Sequence, residues 1–83
     1  MQSNFLKSLE YQQKSLDLGK AANDISSLAY TSLNIGNTYV DMGDTIRGER
    51  YLLESITFAK NAKLKNVELY AYSNLASLYI SKG

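Results

Sequence analysis

Laid over itself with a shift of 40 residues, the sequence meets its own residues again. Tyr11 falls on Tyr51, Ser15 on Ser55, Lys20 on Lys60, Ala22 on Ala62, Tyr30 on Tyr70, Asn34 on Asn74, Tyr39 on Tyr79 and Gly43 on Gly83. These eight identities in 43 aligned pairs exceed the roughly three or four that unrelated sequence of this composition gives. Conservative pairs extend the match: Leu6/Ile46, Lys7/Arg47, Leu16/Ile56, Leu18/Phe58, Gly19/Ala59, Ile35/Leu75, Gly36/Ala76 and Val40/Ile80. A fixed period of about 20–50 residues marks stacked units that bury their apolar faces against one another. Such arrays work chiefly by presenting a surface to other chains.

The units are helical. No proline interrupts the chain, and apolar residues recurring every three or four positions predict four helices. The first covers 3–22, with Phe5, Leu6, Leu9, Leu16 and Leu18 as its apolar positions. The second, 25–42, carries Leu28, Ala29, Leu33, Ile35, Gly36, Tyr39 and Val40. The third, 45–62, carries Ile46, Leu52, Ile56, Phe58, Ala59 and Ala62, and the fourth, 67–82, carries Leu69, Ala71, Tyr72, Leu75, Ala76, Tyr79 and Ile80. Asn23 or Asp24, Asp44 and Asn66 are the cap candidates, and Gly43 suits the left-handed residue that closes a helix. Connections of two to four residues lay successive helices antiparallel.

Composition narrows the chemistry. Eighty-three residues form one domain, with a formal net charge of +1 and a mean hydropathy of −0.27. No apolar run reaches the roughly 18 residues of a membrane span, and the start has no basic region followed by an apolar stretch. The expected setting is cytoplasmic, without membrane or nucleic-acid partners. Lys60, Lys63 and Lys65 form the one basic cluster, where a helix end favours cations, so a structural role is expected for them. With neither Cys nor His, disulfides, thiolate chemistry and the commonest general base and transition-metal ligand are removed. No cofactor, metal or enzymatic activity is expected.

Between Tyr30 and Ser55 the residues form a pattern. Ile35-Gly36, Tyr39, Gly43-Asp44, small Gly48, large Leu52 and small Ser55 together resemble a tetratricopeptide repeat. Small residues at Gly36 and Gly48 let paired helices approach, Tyr39 fills the adjoining space, and Gly43-Asp44 makes the turn. The pattern recurs at Leu75-Ala76, Tyr79 and Gly83, and backwards at Ser8, Tyr11 and Ser15. The 40-residue unit is similar to the extended repeats of bacterial peptide-sensing regulators, kinesin light chains and spindle-orientation adaptors. Ser32 departs from the family's usual large aromatic, and Ser15, Gly48 and Ser55 stand where alanine is usual. The resemblance implies an all-α, right-handed superhelical solenoid over 1–83. It contains the second helix of a partial repeat (3–22), a complete pair (25–62) and the first helix of a further repeat (67–82).

It also implies a concave groove lined by the first helix of each pair. The candidate peptide-binding residues are Tyr30, Leu33, Asn34, Asn37 and Asp41, then Tyr70, Ser73, Asn74, Ser77 and Ser81. Asn34 and Asn74, identical across the period, either hold a peptide backbone at both N–H and C=O or bond across their own helix pair. The bond across the pair is the favoured reading for Asn37. Tyr39, Tyr51, Tyr72 and Tyr79 fit packing positions. The groove lacks the cationic pattern that clamps a C-terminal carboxylate. The expected function is a protein-interaction module, with a peptide-sensing regulatory domain or a self-assembling segment as alternatives. The register leaves unfinished edges, with Phe5, Leu6, Leu9, Leu69, Leu75 and Leu78 in need of cover. A piece of a longer array, or self-association through those edges, is therefore expected.

Overall fold

The computed structural model describes residues 2–82, with side chains from residue 5 to 81. The chain is all-α: α1 is Gln2–Ala22, α2 Ile25–Asp41, α3 Thr45–Ala62 and α4 Lys65–Lys82. Neighbouring helices run antiparallel. The start of α2 meets the end of α1 where Leu28 approaches Gly19, while Thr38, late in α2, bonds Gln12 in mid-α1. Gly36 lies against Leu52, and the Ser55 hydroxyl donates to the Ala29 carbonyl. Tyr79 late in α4 reaches Glu49 early in α3. No helix among the described residues is long and apolar enough to cross a membrane.

The three turns share one construction. Asn23, Gly43 and Lys63 all have positive φ, at 56°, 91° and 59°. At each, the residue itself donates its N–H three residues back, and the next residue donates five back: Asp24 to Gly19, Asp44 to Tyr39, Leu64 to Ala59. This Schellman closure satisfies carbonyls that the helix end would leave unpaired. Gly43 adopts the conformation without a Cβ penalty. Asp24 and Asp44 then cap α2 and α3, accepting from the N–H groups of Ser27 and Arg47 at 3.1 Å each. The third turn differs from the sequence expectation. Lys63, not a glycine, takes the left-handed conformation, and α4 starts at Lys65, so Asn66 lies inside the first turn and not at the cap. Partly buried Leu64 packs on the core there.

Burial shows how the helices use their faces. On α2, Leu28, Thr31 and Ile35 are buried, with Thr38 half-buried, on the side that meets α1; Ala29, Ser32, Leu33 and Gly36 are buried on the side that meets α3. Forty residues on, Thr31, Ile35 and Thr38 correspond to Ala71, Leu75 and Leu78 on α4, all buried. With buried Val67 these join the lobe shared with α3, while the counterpart of Leu28 is half-buried Glu68. The core has two lobes, Leu16, Leu28 and Ile35 between α1 and α2, and a larger one spanning α2, α3 and α4. Phe58 touches both lobes.

Several apolar positions lie elsewhere than periodicity placed them. Leu75 and Leu78 are core residues and need no cover. Leu6, Leu18, Ile46, Leu69 and Ile80 are exposed, and so are Tyr72 and Tyr79. Periodicity cannot separate a stripe facing a neighbour from the adjoining one facing solvent, because both advance by three and four. Tyr39 and Tyr51 do pack, half-buried and stacked with centroids 5.6 Å apart.

Candidate functional site

The α2 and α4 helices run parallel, bridged where Asn74 Nδ2 donates to Asn37 Oδ1 at 2.7 Å. Beside that bond the two helices and the start of α3 enclose an open groove of about 570 Å³. Asn37 and Asp41 contribute from α2, Thr45 from α3, and Tyr70, Asn74, Ser77 and Ser81 from α4, with Val40 and Leu78 as the apolar part of the lining. Among the described residues, Asp41 is the only charged one of the lining.

The groove thus gathers Asn37, Asp41, Tyr70, Asn74, Ser77 and Ser81 of the sequence candidates. Tyr30, Asn34 and Ser73 are exposed but lie outside it. Leu33 is withdrawn from the surface: it is only 8% exposed and belongs to the larger core lobe, because α3 covers that side of α2.

Identity across the period did not give Asn34 and Asn74 the same environment. Asn74 is half-buried and tied to α2, whereas the exposed Asn34 has its backbone carbonyl bonded by Thr38 at 2.9 Å. The Asn74 bond runs between the two parallel helices, and not within the antiparallel pair as the local reading held. Asn37, read as a local bonding residue, is its partner. Sequence comparison at one period hides this pair, since its members are 37 residues apart. The signal that finds it is two asparagines one turn off register on parallel neighbours.

Elsewhere the lysine cluster surrounds a hollow at the α3–α4 turn with Glu68. Lys60 lies 5.8 Å from the centroid of the Tyr72 ring, and Lys65 Nζ is 3.9 Å from Glu68 Oε1. The Lys60 contact ties the end of α3 to α4, whereas the Lys65–Glu68 pair lies within the first turn of α4. Among the described residues no group of His, Cys, Asp and Glu is arranged to hold a metal ion.

Comparison with protein-family models, with curated proteins and with solved structures finds no match. The tetratricopeptide resemblance therefore rests on the sequence pattern alone.

Proposed function

We propose that this chain is a protein-interaction module of tetratricopeptide-like design that takes an extended peptide in the α2–α4 groove. One observation carries the reading: the Asn37–Asn74 amide pair is fixed in the wall of an open groove whose lining is otherwise mostly uncharged, with Asp41 its charged member. Their mutual bond engages one N–H of Asn74 and one lone pair of Asn37. Each amide has further donor and acceptor capacity, which suits the alternating N–H and C=O groups of a strand-like backbone. Because the two side chains already hold each other, binding immobilises fewer rotors, and the entropic cost falls. Tyr70, two-thirds exposed at 66%, offers a rigid amphipathic ring to an apolar side chain.

Asp41 gives the site its sign. A carboxylate in the lining repels acidic segments and free C-terminal carboxylates, tolerates neutral ones and attracts basic ones. A sequence with neither Cys nor His further supports binding over catalysis.

Selection of a random displayed-peptide library on the immobilised chain tests this. The selected peptides should be poor in Asp and Glu. Their affinity should fall at least tenfold, in order-of-magnitude terms, for Asn37→Ala/Asn74→Ala, and Asp41→Lys should invert the charge preference. Circular dichroism should stay unchanged in both variants. Peptides that bind these variants as tightly as the parent chain refute the groove.

A further inference from the structure

The side of α2 that α3 covers has a counterpart on α4 over which no helix packs among the described residues. At its edge Tyr79 bonds Glu49 and Lys60 lies against the Tyr72 ring. Ala29, Ser32, Leu33, Gly36, Tyr39 and Val40 correspond, 40 residues on, to Leu69, Tyr72, Ser73, Ala76, Tyr79 and Ile80. The first set is buried or half-buried, and every member of the second is exposed, Ile80 at 80%. The stripe carries no charge, contains four large apolar or aromatic residues, and is continuous at helical spacing.

The chain itself shows what such a stripe accepts. The helix that covers α2 is α3, and its counterpart 40 residues earlier is α1. On α1 the charged residues Lys7, Glu10, Lys14 and Asp17 follow one helical line. Beside it runs an uncharged line of Ser8, Tyr11, Ser15 and Leu18, with Tyr11 74% and Leu18 71% exposed. We infer that α4 of one molecule docks on α1 of a second copy in the register that α2 uses on α3.

Most contacts of the internal template have counterparts. Stacked Tyr39 and Tyr51, with the Arg47 guanidinium 5.7 Å from the Tyr39 ring, become Tyr79 on Tyr11 of the second copy, flanked by its Lys7. Ser55, which donates to the Ala29 carbonyl at 2.9 Å, becomes Ser15 reaching the carbonyl of Leu69. The close approaches at Gly36 and Gly48 fall on Ala76 and Ser8, small residues that nevertheless carry a Cβ each, so the two helices must stand further apart than α2 and α3 do. Leu52, which fills the seam at Gly36, corresponds to Gln12. That side chain is half-buried and accepts from Thr38 of its own chain, so this filling contact is not copied. Two different surfaces meet, so the contact is heterologous, and the 83-residue chain should associate head to tail and extend with concentration.

The test is sedimentation equilibrium of the 83-residue chain, from micromolar to millimolar, with two exposed-site variants. Ala76→Arg blocks the α4 stripe and Ser8→Arg blocks the α1 line, and unchanged circular dichroism and thermal midpoints show that both fold. The parent chain should grow beyond a dimer, and each variant alone should weaken association at least tenfold. An equimolar mixture of the two variants should form a closed 1:1 dimer, because each supplies the face the other lacks. A parent chain that stays monomeric at millimolar concentration overturns the inference. So does a symmetric α4–α4 dimer, in which Ser8→Arg has no effect and the mixture forms no heterodimer.

Discussion

Gly48 in α3 faces Val40 in α2 so closely that a Cβ built on the glycine would lie 2.5 Å from Val40 Cγ2. The Gly36 carbonyl and the Val40 nitrogen would lie 3.2 and 3.3 Å away. These are backbone atoms, and Val40 is stiff at χ1, so little can give. Gly48→Ala should destabilise by about 1–3 kcal/mol although alanine is the better helix former by about 1 kcal/mol. Val40→Ala should recover part of that loss in the double variant, because the backbone contacts persist. Urea unfolding of the four-member cycle measures it, and a net gain from Gly48→Ala alone contradicts the packing.

Two buried serines should respond to alanine with opposite signs. Ser55 is fully buried and its hydroxyl donates to the Ala29 carbonyl across the α2–α3 seam. Ser32 is equally buried, but its Oγ has no hydrogen-bond partner. Ser55→Ala should cost about 1 kcal/mol, and Ser32→Ala should stabilise by a similar amount, by removing a desolvated hydroxyl. Chemical denaturation midpoints at constant m-value report both.

The Asn37–Asn74 bond predicts energetic coupling between two helices that the turns do not join directly. A double-mutant cycle with alanine at both positions should give a coupling of about 0.5–1.5 kcal/mol in stability. Asn34→Ala serves as the control, because its exposed side chain lies outside the groove. Equal costs for Asn34→Ala and Asn74→Ala would show that the period, and not the contact, governs these residues.

Tyr79 donates its hydroxyl to Glu49 Oε2 at 2.6 Å, and that bond raises the phenol above its ordinary value. The folded state then holds the proton more tightly than the unfolded chain. The associated stabilisation is complete below the ordinary phenol value of about 10 and is lost as pH rises through the folded value. In ¹³C NMR the Tyr79 ring carbon should titrate at lower pH in Glu49→Gln. Tyr79→Phe should remove this contribution to the alkaline loss of stability. An unchanged Tyr79 midpoint in Glu49→Gln contradicts the contact.

Much of the architecture could be read from the residues. Asp24 and Asp44 cap and Gly43 turns because short-range chemistry suffices: an oxygen three residues from an N–H, and a residue with no Cβ. Gly36 and Gly48 were legible as close approaches for the same reason. Lys63 was not, because no side-chain chemistry marks an ordinary residue that a Schellman closure holds left-handed. Nor was the exposure of Leu6, Leu18 and Ile46, whose spacing fits a buried stripe as well as a solvated one. At the groove, Asn37, Asp41, Tyr70, Asn74, Ser77 and Ser81 do meet, whereas Leu33 required knowledge of which side α3 covers.

The sequence by itself determined the helices, the Asp44 cap, the α2 cap to within Asn23 or Asp24, the 40-residue register and the small residues that let α2 and α3 approach. Tertiary structure decided what identical residues do. Tyr39 stacks on Tyr51 while its counterpart Tyr79 lies exposed, and Asn74 binds Asn37 while its counterpart Asn34 faces solvent. Local conformation depends on a few neighbouring residues, which the repeat copies. Burial and pairing depend on which helix lies alongside, and the neighbours of α2 are not those of α4.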